Sequence, residues 1–316
     1  MPEIKNYTDL ETFFAAVKEN DPGILPFASS PGSTVTGADI IYTRGLPQGI
    51  VIDMKNDKAV LGIDMPGAMD GYKRVRDWYL KGYISKDVLS VKDFRAPFKA
   101  GKAAAVMGDI FEYNFNCQAL ATAPGVKLEF VRFLATPEAY QEVTTWNFQS
   151  VVASSKNIDR AVMFLNWVQK NQENYDLMTL GVEGKDYIIK DGQIALPDGI
   201  DPAKPPYSSY EWIWTNPKYI KDRSTYIKGF SDLYRAQDKD VTFKWKGMGF
   251  MFDSSPIKSV VATLGSIYGE INPALGSGTM EPEELVSTYR EKMKKAGSDQ
   301  AIAEVQKQLE AYLAIK

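Results

Sequence analysis

The hydrophobic periodicity of the chain changes along its length, and this change constrains the possible folds most. Up to Gln169, short apolar runs alternate with segments of helical spacing, whereas only helical spacing remains after Pro256. Alternating strands and helices are typical of layered α/β architectures. At 316 residues the chain also exceeds the size at which a single core keeps growing. The sequence therefore predicts an α/β fold of two lobes with a cleft between them, followed by a helical C-terminal region.

Three helices before the C-terminal region are predicted from local patterns. Tyr7–Asn20 has apolar residues at helical spacing behind a Thr8–Asp9 cap. A second helix, 66–82, carries Trp78 near the edge of its apolar face, and we assign this side chain to packing. A third helix, 158–169, is expected to bury three side chains, namely Val162, Leu165 and Trp167.

Strands are predicted where short apolar or alternating runs lie between turn residues. Their ranges are 24–27, 50–52, 60–61, 103–107, 126–133, 151–153 and the two arms of a hairpin over 188–194. Asp191-Gly192 supplies the turn of that hairpin, because both residue types tolerate a positive φ.

The run Ala96–Tyr113 places polar and aromatic groups directly after an apolar strand. Asp109 and Phe111 follow the strand 103–107, together with Glu112 and Tyr113. In open α/β sheets, ligands bind beyond the carboxyl ends of the strands. We therefore interpret this segment as the floor of a cleft, and the same pattern also suits a buried strand followed by a solvated turn.

The composition excludes several classes of function. The chain contains no histidine, so Ser-His-Asp and Cys-His nucleophile systems and HExxH zinc sites are absent. Cys117 is the only cysteine, which excludes an intramolecular disulfide and a cysteine-based zinc site. A net charge of −3, without a basic stripe, argues against nucleic acid as a partner.

The segment Tyr207–Tyr219 is the richest aromatic cluster in the sequence. As a strand it places Trp212 and Trp214 on one face and Ile213 on the other. Parallel indoles stack on the apolar C–H face of a pyranose, and they are equally suited to a core. We predict a ligand surface from groups at predicted strand ends, namely Asp109, Phe111, Trp146, Trp212, Trp214 and Asn216.

Four segments resemble the extracellular solute-binding proteins of carbohydrate ABC importers. Lys102–Gly108 fits that family's G-K-x-A-M-x-x-G-x-W segment, with Phe111 in place of the Trp. The second is a Ser-Lys-Asn cap before a helix of the Ala-x-x-Phe-Leu-x-Trp kind. Phe250–Lys258 resembles F-x-F-D-x-S-P-V-K. Ala296–Leu313 resembles A-G-x-D-x-x-x-x-E-x-Q-x-Q-L-x-x-(W/Y)-L nearly position for position, with Tyr312 in the aromatic place.

The resemblance implies a periplasmic-binding-protein-like (type II) fold that captures an oligosaccharide and delivers it to an ABC permease in the membrane. It implies a lipoprotein on the outer face of a bacterial membrane, although the sequence shows no signal peptide or lipobox. We expect a monomer without a cofactor. Residues 1–135 are expected to form a second-lobe α/β domain, 136–248 the return to the first lobe with an aromatic-rich insertion, and 249–316 the helical C-terminal region.

The start of the chain carries a further expectation. Family members begin with an export signal, a lipid-anchored Cys and a long segment that builds most of the first lobe. Here Met1 is followed at once by Pro2–Tyr7, which resembles the family's P-x-T-x-D-E-L entry to the second lobe. We therefore expect part of a longer receptor with an incomplete first lobe, and the alternative is a natural short homologue.

Two other classes of function compete with a sugar receptor. A glycoside hydrolase needs a suitably spaced carboxylate pair, and Asp109 with Glu112, or Glu211 beside Trp212, supplies candidates. A peptide- or metal-binding receptor is the third option. For a metal, Asp21-Pro22-Gly23 lacks the Asp/Asn-rich continuation of a calcium loop.

Overall fold

The chain is divided into two compact units in a computed structural model. The structure describes residues 3–32, 41–114, 125–131, 140–141, 149–201, 204–207, 209, 211–214, 216–236, 239 and 241–316. The first unit comprises Met1–Gly108, Glu129–Gln141 and Val241–Lys316, and the second comprises Asp109–Leu128 and Glu142–Asp240. The domain boundaries expected at 135/136 and 248/249 stay a prediction.

Helices and strands alternate in the first third of the chain, and helices alone occupy the C-terminal end. Their order is α1 (Tyr7–Asn20), β1 (Leu25–Ala28), β2 (Ile41–Tyr42), β3 (Ile50–Asp53), β4 (Lys58–Leu61), α2 (Ala68–Leu80), α3 (Ala96–Lys99), β5 (Ala103–Val106), α4 (described over 110–114), α5 (Ile158–Val168), α6 (Gln172–Thr179), β6 (Ile188–Lys190), β7 (Gln193–Ala195), α7 (Glu211–Trp214), α8 (Phe230–Ala236), α9 (Lys258–Gly276), α10 (Pro282–Lys295) and α11 (Ser298–Ala314).

An aromatic core holds α1 and α2 against β1 in the first unit. Phe14 lies edge-on to Trp78 with ring centroids 5.3 Å apart, and it stacks on Phe27 at 5.6 Å. The Trp78 indole is fully buried, and its Nε1 donates to the Glu11 carboxylate at 2.9 Å. A buried indole needs such an acceptor, because an unpaired N–H is costly away from water. The assignment of Trp78 to packing is confirmed.

The capping residue of α1 lies earlier in the chain than the sequence predicts. Asn6 is the capping residue, and its Oδ1 accepts the backbone N–H of Asp9 at 3.0 Å. The predicted Thr8–Asp9 cap is wrong because both residues already lie inside the first helical turn. An amide at the cap satisfies a backbone N–H that has no partner within the helix.

Two sheets lie in the described part of the first unit. β1 and β5 pair in parallel, with Leu25 opposite Ala103, so their carboxyl ends lie at the same edge. β2, β3 and β4 form an antiparallel sheet, and β3 and β4 are joined by a tight turn that includes Asp57 at φ 53°. The Asp53 carboxylate stabilises this turn by accepting the N–H groups of Lys55 and Asn56. The strands predicted at 24–27, 50–52, 60–61 and 103–107 are thereby confirmed.

The C-terminal helices pack within the first unit, as the sequence predicts for a helical C-terminal region. α9, α10 and α11 contact one another, α10 and α9 contact α2, and α11 contacts β4. Gln306 of α11 reaches the β3–β4 turn, where its Oε1 accepts the N–H of Ala59 at 2.9 Å and its Nε2 donates to the Asp57 carbonyl at 3.1 Å. These bonds fix the hairpin against the helix.

The second unit contains helices and one described hairpin. β6 and β7 form the predicted hairpin, with Asp191 at φ 52° and Gly192 at φ 77° in its turn. Leu180, Tyr187 and Ile194 form a buried apolar cluster beside it. The remaining described helices of the unit are α5 to α8.

Three predicted strands are wrong in the part of the chain that the structure describes. Residues 126–131 and 151–153 carry no strand, and Glu211–Trp214 is helical. A strand requires a neighbouring chain that pairs with its N–H and C=O groups, and apolar alternation alone does not supply one. The Val152 carbonyl, for example, accepts the N–H of Ser155 within a turn.

Candidate functional site

An exposed group of aromatic rings lies on the second unit. Phe164 and Trp167 are one turn apart on α5, and their rings are 6.1 Å apart with planes inclined by only 19°. Trp214 of α7 meets Phe164 edge-on, at 6.3 Å and 90°. Phe164 and Trp167 are 46% and 38% exposed, although both are large apolar side chains. We call these three residues the α5 aromatic cluster.

Two amide side chains fix α7 beside α5. The Gln169 Nε2 donates to the Trp214 carbonyl at 3.3 Å, and the Asn216 Nδ2 donates to the Gln169 Oε1 at 2.8 Å. The Asn216 Oδ1 also accepts the N–H of Lys218 at 3.1 Å. This chain of bonds positions the Trp214 indole, since it holds the backbone immediately around it.

A partly buried ion pair supports the segment that follows Asn216. The Lys221 Nζ lies 2.6 Å from the Asp176 carboxylate of α6. Gln172 joins the same group, because its Nε2 donates to the Asp176 Oδ1 at 2.7 Å and to the Tyr219 carbonyl at 2.9 Å. Tyr175 packs on Tyr219 with ring centroids 5.4 Å apart. These contacts fix the segment after Asn216 to α6.

The exposed face of α5 corrects the core predicted for this helix. Val162 and Trp167 are exposed and Leu165 is half-buried, whereas Val168 is the fully buried residue of the helix. Helical periodicity identifies an apolar face but does not reveal what covers it. A contiguous exposed apolar surface of this kind is typical of an interaction site, whereas single exposed apolar residues are common on any protein. Its members beyond the aromatic cluster include Ile158, Val162 and Met163.

Asp109 and Phe111 lie after β5, as the sequence predicts. Asp109 lies at the start of a helix, and the Phe111 ring packs against other aromatic rings. The Asp109 Oδ1 accepts the N–H of Glu112 at 2.9 Å and thereby caps α4. Phe111 packs against Phe230 at 5.2 Å and Tyr234 at 5.4 Å, both on α8. The two residues thus belong to a different group of elements from the α5 aromatic cluster.

The other predicted site residues are distributed as follows. Trp214 and Asn216 are brought together through Gln169, as described above. Trp146 lies outside the described residues. Position 212 is helical rather than extended, so alternation along a strand does not pair it with Trp214, and the Trp212 side chain lies outside the described part.

Sequence reasoning missed Phe164 and Gln169 as site residues. Phe164 lies in the Ala-x-x-Phe-Leu-x-Trp pattern of the helix, where both aromatic positions fall on one face at a spacing of three. That spacing is the available signal, although it equally describes core aromatics. The exposure of the rings in the folded chain separates the two interpretations.

The described residues hold no group of three or more His, Cys, Asp or Glu side chains placed to bind a metal ion. In the same part of the chain, no helix combines the length and apolar character needed to cross a membrane.

The fold is that of the solute-binding proteins. The N-glycan transport solute-binding protein NgtS from Streptococcus pneumoniae matches with a TM-score of 0.72 and 21% identity, over 98% of this chain and 68% of that one. Its complex with Man5GlcNAc matches at 0.68 and 21% identity, over 100% and 69%. The alginate-binding protein AlgQ2 without calcium ion matches at 0.63 and 17% identity, over 98% and 68%. These matches confirm the predicted fold class.

Sequence comparison agrees with the fold. The chain is homologous to a carbohydrate ABC transporter substrate-binding protein of Streptococcus pneumoniae serotype 4 (strain ATCC BAA-334 / TIGR4), with 23% identity over 98% of this chain. The chain spans 63% of that relative's length. Residues 246–314 match a family model described as a domain of unknown function, DUF3502.

Proposed function

We propose that this chain captures an oligosaccharide as the substrate-binding component of a carbohydrate ABC importer. The observation that carries the proposal is homology to such a component along nearly the whole chain. The solute-binding fold supports it, and the α5 aromatic cluster supplies a surface of suitable chemistry. The chain acts outside the cytoplasmic membrane, as a monomer anchored by lipid in its full-length form, and hands its ligand to a membrane permease.

The α5 aromatic cluster suits a sugar chain for physical reasons. A pyranose ring presents an apolar C–H face that stacks on an aromatic ring, while its hydroxyl groups stay at the edge. The rings of Phe164 and Trp167 are nearly parallel, and the Trp214 ring lies edge-on to the Phe164 ring. Each side-chain amide carries two N–H donors, so among the described residues Gln169 and Asn216 each use only one of them in the bonds that hold α7.

The ligand surface that we propose joins the α5 aromatic cluster to Asn216. Asp109, Phe111, Trp146 and Trp212 stay predictions from the sequence as further ligand contacts. We also propose that the chain binds sugar without hydrolysing it. The Asp109 carboxylate already serves as a helix cap, which gives it a structural task that needs no catalytic role.

The proposal is tested by calorimetric titration of the chain with a panel of oligosaccharides of different charge. One arm uses neutral Man5GlcNAc and the other uses acidic alginate oligosaccharides, because the names of the matching structures mention these two sugars. We expect saturable binding of a neutral glycan, because the α5 aromatic cluster offers rings, and Gln169 and Asn216 offer amides. Absence of saturable heat with every oligosaccharide in the panel contradicts the proposal.

A further inference from the structure

A cavity lies in the first unit, and none of its described lining residues belongs to the α5 aromatic cluster. Its volume is about 440 Å³, and its walls come from β3, the loop before it, α2, α9 and α10. Tyr72, Tyr268 and Tyr289 contribute from the three helices, and Gln48 and Asn272 contribute side-chain amides. A volume of this size lies within the range of about 300 to 1,000 Å³ that small-molecule sites occupy.

The described lining of this cavity is polar in places but carries no charged side chain. Its other residues are glycines, Thr43, Pro47 and aliphatic side chains. A charged ligand would lose its hydration here without gaining a counter-charge. Burial raises the pKa of Tyr72 to about 12 and also raises the pKa of Tyr268 and Tyr289, so these phenols remain neutral hydrogen-bonding groups at physiological pH.

One wall of the cavity holds a buried polar atom with unused bonding capacity. The Tyr289 hydroxyl is buried and makes no hydrogen bond with the described residues. It lies against Gly49, where an added Cβ would collide with the Tyr289 Oη, so only glycine fits beside it. A buried hydroxyl without a partner is unfavourable, so a small shift of the Tyr289 ring that brings its Oη to a hydroxylated molecule or a water in the cavity would remove that cost.

The mouth of the cavity also carries polar groups. Gln48 and Thr43 are exposed, whereas Tyr72 and Tyr289 are buried at the inner wall. Asn272 is half-buried between them, and its Nδ2 lies 3.5 Å from the Gly32 carbonyl, which is a long contact for a hydrogen bond. An entering ligand therefore meets amides first and tyrosine rings further inside.

We propose that this cavity binds one small, uncharged, hydroxylated ring compound of about the size of a monosaccharide. The tyrosine rings contact its C–H faces, and the amides of Gln48 and Asn272 bond to its hydroxyl groups. The site is separate from the α5 aromatic cluster, because every described residue that lines it belongs to the first unit. The chain then has two places at which sugar rings bind.

Saturation-transfer NMR on the whole chain tests this site with D-mannose, N-acetyl-D-glucosamine and D-glucuronate as probes. We expect transfer to at least one neutral sugar and none to the uronate. Asn272→Leu replaces the amide by an apolar group with the same branching and number of heavy atoms, and we expect at least a tenfold loss of affinity for the bound sugar. Tyr289→Phe removes only the unpartnered hydroxyl and serves as the second variant if Asn272→Leu does not fold.

Trp214→Ala is the control that separates the two sites. It should leave monosaccharide binding in the cavity unchanged, while Asn272→Leu should leave oligosaccharide binding at the α5 aromatic cluster unchanged. A water-filled cavity gives no transfer to any probe and overturns the inference. Equal binding of the uronate and a neutral sugar would also overturn the inference. Unchanged affinity in both Asn272→Leu and Tyr289→Phe would do the same.

Discussion

Asn216 shows what a single side chain contributes to the proposed sugar surface. From the sequence it is a candidate ligand group, and in the structure it bonds to Gln169 and accepts the N–H of Lys218. Asparagine commonly stabilises turns in this way, because its side chain imitates a backbone group. Its bonds hold the backbone next to Trp214, so we expect Asn216 to influence the proposed binding surface through the position of that ring.

The tyrosines of the first-unit cavity carry a prediction about alkaline pH. Burial raises the pKa of Tyr72 from 10.0 to about 12 and raises that of Tyr289 further. Above pH 10 the unfolded chain loses these protons while the folded chain keeps them, so stability decreases as pH rises. The free energy of unfolding should fall by about 1.4 kcal/mol per pH unit for each tyrosine in this window.

Urea denaturation of the wild type and of Tyr72→Phe between pH 8 and pH 11 measures this effect. Phenylalanine has no proton to lose, so the decline above pH 10 should be smaller in the variant. Tyr79→Phe is a control on the same helix, because Tyr79 is only half-buried. Equal slopes for the wild type and Tyr72→Phe would show that burial does not perturb this phenol.

The C-terminal sequence pattern has a structural explanation at the level of one helix. Gln306 of α11 bonds to the β3–β4 turn, Gln308 bonds to the backbone of Asp253, and the Tyr312 hydroxyl donates to the Met248 carbonyl at 2.8 Å. These are the positions of the two glutamines and the aromatic residue in the resemblance. The two glutamines and the tyrosine of this C-terminal pattern are therefore the residues whose hydrogen bonds hold α11 against its neighbours.

Removal of the Gln306 amide should destabilise the first unit. Gln306→Ala leaves the buried N–H of Ala59 without its acceptor, and an unsatisfied buried donor costs about 1 to 3 kcal/mol. Gln300→Ala is a matched control, because Gln300 is exposed on the same helix. Chemical denaturation of both variants measures the difference. A loss of equal size in Gln300→Ala would attribute the effect to the helix rather than to the hairpin.

Elements with their own local signals were predictable, and elements that depend on distant partners were not. α1, α2, the β3–β4 hairpin and α11 follow from periodicity and turn residues, and the structure confirms them. Val152 and the segment 126–131 have strand-like sequences, but the described chain offers them no partner strand. Trp214 was predicted as a site residue from its place in an aromatic cluster at a predicted strand end, whereas its neighbours Phe164 and Gln169 depend on the packing of α7 beside α5.

At the scale of the whole molecule, the proposed function requires binding without chemistry. We expect any oligosaccharide that binds to be recovered intact after overnight incubation with the chain, as judged by mass spectrometry. Boiled protein serves as the control for spontaneous breakdown. Formation of a shorter product that disappears in Asp109→Asn or Glu211→Gln would instead establish a glycoside hydrolase with a carboxylate pair.

Calorimetric titration of Trp214→Ala and Trp167→Ala tests whether the α5 aromatic cluster holds the oligosaccharide, as we propose. Each loss of a stacking ring should weaken binding by about 1 to 3 kcal/mol, the range for burial of a large apolar side chain. Leu177→Ala is the matched control, because Leu177 of α6 is 46% exposed, as is Phe164, and should leave affinity unchanged. Wild-type affinity in both tryptophan variants would contradict the account.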